Sequence, residues 1–260
     1  LHKQLKAHKF DTVLDMQGLL KSAVWAWLSG ATRRVGLGSK EGSHRLMTEV
    51  IERGGEVGRI GSEYQFFAAH LGLETKPFRM QISVPEETEA AVDQQLAEQG
   101  IERFIAVCPF TTRPQKHWIE SQWLELLPML QQVYDCPVIM LGGPGDVEAA
   151  SRLQVPGVLN WVGQTRLLEA VRTLEKADLV IGVDTGLTHI GIAKQTPVVA
   201  IFGSTCPYRF APGAQLSVLH SGRDCSPCRR NPTCDGRFDC MRDLTPVTVL
   251  DAAKALLPRS

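Results

Sequence analysis

Hydroxyls and cations concentrate in residues 109–118, where Thr111, Thr112 and Arg113 precede Lys116 and Trp118. Such a set stabilises negative charge developing on an oxyanion or a departing phosphate. The same residues also suit a polar surface loop with Trp118 as a core anchor. A second concentration is Asp184-Thr185-Gly186-Leu187-Thr188-His189. Read as the start of a helix after a strand, it supplies N-cap oxygens, a glycine that admits close backbone approach, and unpaired amides. That is a phosphate or diphosphate cradle. The plainer reading is a helix cap at Asp184 or Thr185, with His189 packed against the sheet. Between the two lies Gly142-Gly143-Pro144-Gly145, followed by the carboxylates Asp146 and Glu148. Its spacing is neither that of a P-loop nor that of a dinucleotide fingerprint, which counts against nicotinamide and simple ATPase chemistry.

The other concentrated feature is Cys225-x2-Cys228-x5-Cys234-x5-Cys240. Four thiols this close suit a tetrahedral structural zinc or iron site, although the spacing after the first pair matches no common zinc finger. Disulfide stapling and reduced thiols are the alternatives, and nothing nearby supplies a base for thiol catalysis. The chain has 7 cysteines, and Cys108, Cys136 and Cys206 stand alone in apolar or turn contexts. That pattern reads as a reducing compartment, with the cytoplasm as default.

These residues need a scaffold, and the hydrophobic pattern implies one. Short β-branched runs alternate with amphipathic stretches, as in parallel strands joined by crossover helices. Residues 11–15 read as a strand, 19–28 as a helix, 33–36 as a short strand and 62–71 as a helix; 37–60 shows no clear period. Trp25 and Trp27, two apart, cannot share one face of their helix, which places one in the core. A break marked by Pro77 and Pro85 precedes a helix at 86–99. The rhythm is then regular, with strands at 104–108, 137–141, 158–160, 179–183 and 198–202. Helices are expected at 121–133, 147–153, 167–176 and 187–194, and a closing helix at 247–257 starts after Pro246. Ligands of open parallel sheets bind beyond the carboxyl ends of the strands, which selects the loops at 109–118, 142–146, 184–189 and 203–207.

Composition excludes the extreme classes. With 260 residues, 43% hydrophobic and 22% charged, and 28 basic against 28 acidic side chains, the chain is neither disordered nor fibrous. It carries no apolar run of the roughly 18 residues a membrane span requires, and no nucleic-acid partner is expected. Residues 1–80 hold 12 basic and 8 acidic side chains, a lean that favours anionic partners only weakly. The chain opens Leu1-His2-Lys3, without Met and without the apolar core of a signal peptide.

Four segments, in this order and at this spacing, resemble the family 9 glycosyltransferases, the bacterial heptosyltransferases of lipopolysaccharide core assembly, and most closely the type I enzymes. They are Asp15-Met16-Gln17-Gly18-Leu19-Leu20-Lys21-Ser22, Phe110-Thr111-Thr112-Arg113-Pro114-Gln115-Lys116-His117-Trp118, Gly142-Gly143-Pro144-Gly145-Asp146-Val147-Glu148, and the segment at 184–189. The resemblance implies an α/β GT-B fold, two Rossmann-like domains with parallel sheets facing a cleft. The break at Pro77 and Pro85 fits that division, giving a partial acceptor-binding domain at 1–85, a nucleotide-sugar donor-binding domain at 86–245 and a closing helix at 246–260. The resemblance further implies inverting transfer of heptose from ADP-L-glycero-β-D-manno-heptose to the Kdo region of a lipid A precursor at the inner membrane surface, with no cofactor required for catalysis.

In that setting Lys116 and the hydroxyls of Thr111 and Thr112 offset charge on the ADP leaving group, and the Asp184-Thr185-Gly186 helix start holds the donor diphosphate, with the donor-binding His189 one turn further along. Glu148 is the expected ribose partner, with Asp146 open as an alternative. Gln17, Gly18, Lys21 and Ser22 are the expected acceptor contacts. The family's first strand and the Gly-Asp loop bearing its general base are expected upstream of Leu1, so the chain as given is expected to bind donor better than it turns over. Asp11 and Asp15 flank a strand and are read as capping or edge residues. Cysteine-bearing tails of this kind occur in some family members. Two rival readings are another GT-B enzyme using a UDP- or GDP-sugar, as a transferase or 2-epimerase, and a non-catalytic binding relic.

Overall fold

The computed structural model describes residues 1–76, 78–229 and 231–258, so Pro77, Arg230, Arg259 and Ser260 lie outside the described residues. The chain divides into two units, Leu1–Phe78 and Arg79–Ser260.

In the first unit α1 (His2–Ala7) is followed by β1 (Thr12–Asp15), α2 (Leu20–Leu28), β2 (Arg33–Leu37), β3 (Glu49–Ile51) and α3 (Ser62–His70). The strands form a parallel sheet in the order β1-β2-β3. Val35, Leu37, Ile51 and Phe67 make its small core. The unpatterned stretch 37–60 contains a 3₁₀ turn, Ser43–Leu46, and β3. Three residues are too few to show a period; tertiary bonds fix this strand instead. Arg34 N–H donates to Thr48 Oγ1 at 2.7 Å and Gly38 N–H to the Ile51 carbonyl at 2.7 Å. The tryptophan expectation is corrected, because α2 buries Ala23 and Ala26, a stripe spaced three apart, while Trp25 and Trp27 are both exposed. Small residues let α2 sit close to its sheet and push the indoles to the flanks.

The second unit comprises α4 (Glu86–Glu98), β4 (Ile105–Cys108), α5 (Glu120–Tyr134), β5 (Val138–Met140), α6 (Val147–Ser151), β6 (Val158–Asn160), α7 (Leu167–Lys176), β7 (Leu179–Val183), α8 (Gly186–Ala193), β8 (Val198–Phe202), β9 (Leu216–His220), α9 (Asp239–Arg242) and α10 (Pro246–Leu256). Its six strands are all parallel, in the order β6-β5-β4-β7-β8-β9. The central strands β4, β7 and β8 are buried along their whole length, as continuous apolar runs in a sheet covered on both faces must be. The sixth strand, β9, is only half-buried and carries no such run, because it is the sheet's edge. Thr245 caps α10 by accepting from Thr248 N–H, and Pro246 occupies the first helical turn, where no donor is lost.

The order of strands decides where this unit binds a ligand. The chain runs outward from β4 through β5 to β6, returns to the other side of β4 as β7, and then runs outward through β8 to β9. Connections leaving β4 and β7 therefore diverge at their carboxyl ends, which opens a crevice between them.

Candidate functional site

Lys116 ends a 3₁₀ turn, Pro114–Lys116, in the connection after β4. The turn is held from both sides. Trp118, buried at 3% exposure, packs edge-on against Trp123 with ring centroids 4.9 Å apart. Its indole N–H donates to the carbonyls of Met241 (3.1 Å) and Leu244 (2.8 Å), so the anchor ties this loop to the carboxyl-terminal segment. His117 Nε2 lies 2.7 Å from the Thr111 carbonyl, and Thr111 Oγ1 donates to the Asp184 carbonyl at 3.2 Å. The loop after β4 is thereby stitched to the loop after β7.

Across this seam Lys116 Nζ meets Asp184 Oδ2 at 2.7 Å. The carboxylate also receives a hydrogen bond from Thr205 Oγ1, and its Oδ1 lies 3.2 Å from His189 Nε2. The Tyr208 hydroxyl pairs with His189 Nδ1, so a Tyr208 O–H donor leaves the imidazole Nε2–H aimed at Asp184. Burial alone would raise the Asp184 carboxyl. Hydrogen bonds from His189, Lys116 and Thr205 outweigh it and hold the group well below the usual carboxylate range. The Tyr208 phenol is pushed far up by burial and by the Asp184 charge, so it remains a neutral donor.

Asp184 is accordingly no helix cap. Thr185 is the N-cap residue of α8, and its side chain makes no capping bond. Thr188 turns its hydroxyl back to the Val183 carbonyl at 2.7 Å. The first amides of α8, at Gly186, Leu187 and Thr188, have no partner within the helix and carry its positive dipole end. A Cβ on Gly186 would meet nothing within 4 Å, so packing does not explain this glycine; it leaves the amides open to a ligand.

Lys116, Asp184 and Thr205 line a cavity of about 630 Å³, together with Arg113, Pro227 and Arg229. That size accommodates a nucleotide-sized ligand. The structure thus brings Thr111, Lys116, Asp184 and His189 together, beside the Thr185-Gly186 helix start. Thr112 sits exposed in the same loop. Glu148 lies exposed in the first turn of α6, beyond the carboxyl end of β5, and no hydrogen bond or ion pair among the described residues joins its side chain to the Asp184 cluster. Asp146 closes its own turn by accepting from Gly143 N–H at 2.8 Å. Thr205 and Tyr208 had no sequence signal of their own. Thr205 stood inside the expected loop at 203–207, but only the fold turns it toward Asp184.

In the first unit Gln17, Lys21 and Ser22 line a groove of about 470 Å³ with Phe10 and Trp25. Asp15 organises its floor by accepting from Gln17 N–H (3.0 Å), Gly18 N–H (3.2 Å) and Ser22 Oγ (2.9 Å). Gly18 has φ +68°, and a Cβ there would lie 2.6 Å from the Leu37 carbonyl oxygen, so it serves a close backbone approach. The metal reading of Cys225, Cys228, Cys234 and Cys240 gains no support from the structure. Among the described residues no three His, Cys, Asp or Glu side chains are arranged to hold a metal ion, and the seven thiols are free. Cys225 stands exposed, whereas Cys240 is buried against Gly203 in the core. The loop after β8 anchors this segment: Ser226 Oγ donates to the Gly203 carbonyl, and Arg229 N–H to the Ser204 carbonyl.

A switch-point crevice with an ion pair and free helix amides defines an α/β protein of the GT-B glycosyltransferase class, and solved structures agree on the fold. A glycosyl transferase family 9 structure from Veillonella parvula superimposes with a TM-score of 0.81 at 20% identity, over 100% of this chain and 77% of that one. The E. coli heptosyltransferase WaaC with ADP-2-deoxy-2-fluoro heptose gives 0.70 at 23%, over 98% and 75%. The chain belongs to glycosyltransferase family 9 (heptosyltransferase), which matches residues 1–237. It is 25% identical over 232 residues to the lipopolysaccharide core heptosyltransferase OpsX of Haemophilus influenzae, covering 85% of this chain and 65% of that protein. The chain thus spans slightly less than two thirds of that relative's length. Among the described residues no helix is long and apolar enough to cross a membrane.

Proposed function

We propose that this protein is an inverting glycosyltransferase that moves heptose from ADP-L-glycero-β-D-manno-heptose to the Kdo region of the lipopolysaccharide inner core, working in the cytoplasm at the inner membrane surface. The observation that carries this reading is the Lys116–Asp184 pair beside the open amides of α8 at the switch point. The Pseudomonas aeruginosa lipopolysaccharide heptosyltransferase 1 is 28% identical over 98% of this chain and 76% of its own length, and supports heptose transfer in lipopolysaccharide assembly.

In this reading residues 86–245 bind donor and residues 1–85 bind acceptor. The donor diphosphate lies over Gly186, with its oxygens taking the first α8 amides and the hydroxyls of Thr112 and Thr185, while Thr111 holds the two loops together. As the acceptor oxygen bonds to the anomeric carbon, the bond from that carbon to the β-phosphate oxygen breaks and ADP leaves with the electron pair. The acceptor hydroxyl passes its proton to a general base, a carboxylate or solvent water on the acceptor side. Lys116 offsets the charge gained by the departing phosphate, and Asp184, held ionised by His189 and Thr205, fixes the ammonium in place. Glu148, whose carboxylate is not committed to its own turn as that of Asp146 is, takes the ribose hydroxyls. Gln17, Gly18, Lys21 and Ser22 meet the anionic acceptor.

Calorimetric titration with ADP, ADP-heptose, UDP and GDP tests the reading. Binding of ADP and ADP-heptose, weakened in Lys116→Ala, is the expected result. Binding of UDP or GDP alone would move the protein to another GT-B activity, and no nucleotide binding at all would mark it as a relic.

A further inference from the structure

Asp184 shares the charge of Lys116 at 2.7 Å, so Lys116 alone does not neutralise a diphosphate. A diphosphate entering the same cavity needs further cations, and the lining supplies two, Arg113 and Arg229. Among the described residues neither is ion-paired to a carboxylate. Arg229 comes from the cysteine-bearing segment between Cys228 and Cys234, far away in sequence from the other site loops.

Its backbone is fastened to the site on both sides. Arg229 N–H donates to the Ser204 carbonyl at 2.7 Å, in the connection that also carries Thr205. The Gln115 side-chain amide, itself buried and next to Lys116, donates to the Arg229 carbonyl at 3.2 Å. Arg229 is held there at φ +58°, in the left-handed region where glycine would be the easier choice. Backbone conformation therefore does not explain an arginine at this position. The side chain is exposed and lines the cavity, where a guanidinium presents a planar fork of donors to phosphate oxygens.

We infer that Arg229 is a donor-binding residue, a guanidinium clamp for the diphosphate of a nucleotide sugar, and that the cysteine-bearing segment is a wall of the donor site that delivers it. This rests on the donor reading above. With Asp184 balancing part of the Lys116 charge, Arg113 and Arg229 add two positive charges against the two negative charges of an esterified diphosphate. The clamp acts on the phosphates and leaves the nucleoside to other residues.

The test is isothermal titration of the purified protein and its Arg229→Gln and Arg229→Lys variants with ADP and with adenosine, alongside thermal melting. The expected result is an ADP affinity lowered on the order of tenfold in Arg229→Gln, partial recovery in Arg229→Lys, and unchanged adenosine binding and melting temperature. Raising the salt concentration should also weaken ADP binding less steeply in Arg229→Gln than in the parent. Parental ADP affinity in Arg229→Gln would overturn this inference alone, and equal losses for ADP and adenosine would overturn it in favour of a merely structural role. Failure of the parent protein to bind ADP would overturn the donor reading and this inference with it.

Discussion

Replacing Lys116 with Met keeps an unbranched stem and removes the ammonium that faces Asp184 Oδ2 at 2.7 Å. The carboxylate left behind is only 9% exposed, so it cannot recover its solvation from water. Breaking a fully buried pair costs about 3–5 kcal/mol. Here His189 and Thr205 still donate to Asp184, and Lys116 is itself 22% exposed, which lowers the expected loss to about 1–2 kcal/mol. In a unit of this size that is a fall of roughly 2–8 °C in melting temperature.

The pH dependence separates this cause from lost packing. Asp184 has a carboxyl depressed in the folded state, so its contribution is complete above the unfolded value of about 3.9 and disappears as pH falls through the folded value. Lys116→Met reduces that depression. The gap between parent and variant should therefore be full at neutral pH and shrink progressively below about pH 4. Differential scanning calorimetry across this range reads it directly. A gap that stays constant with pH would assign the loss to the lysine stem, and no gap at neutral pH would refute the electrostatic coupling altogether.

Gly182→Ala should destabilise the second unit by about 1–3 kcal/mol, because its Cβ would meet Thr188 Oγ1 at 2.2 Å and the Cys108 Cβ at 2.9 Å, both immobile in the core; urea unfolding with an unchanged midpoint would contradict this. Gly18→Ala, at φ +68° against two carbonyl oxygens, should cost about 2 kcal/mol and perturb the groove lined by Lys21, read as a lost melting transition of the first unit or altered amide exchange at Gln17 and Lys40. Thiol titration should label exposed Cys225 at once, whereas Cys108, fully buried and with its thiol pushed far up by burial, should react only with unfolding; early labelling of Cys108 would show that β4 is open to solvent.

Residue order alone determined most of the scaffold. Val-, Ile- and Leu-rich runs at β4, β7 and β8 announce buried parallel strands, since only a sheet covered on both faces tolerates them uninterrupted. The loops that follow could then be named as ligand loops, and Lys116, Asp184 and Gly186 stood in them by residue type. Edge elements were not legible: β3 is three residues long and β9 half-buried, so neither carries a period, and both exist because a neighbouring strand offers them hydrogen bonds.

Tertiary structure alone decided what the site residues do. Asp184 reads in sequence as a cap, yet its partners Lys116, His189, Thr205 and the Tyr208 behind them gather only when β4, β7 and β8 lie side by side. Arg229 is the sharper case, because its neighbours Ser204 and Gln115 are brought to it by long-range bonds that leave no local pattern. Periodicity reports which face of an element is buried. It holds no information about which distant side chain completes a charge, and that pairing is set by strand order.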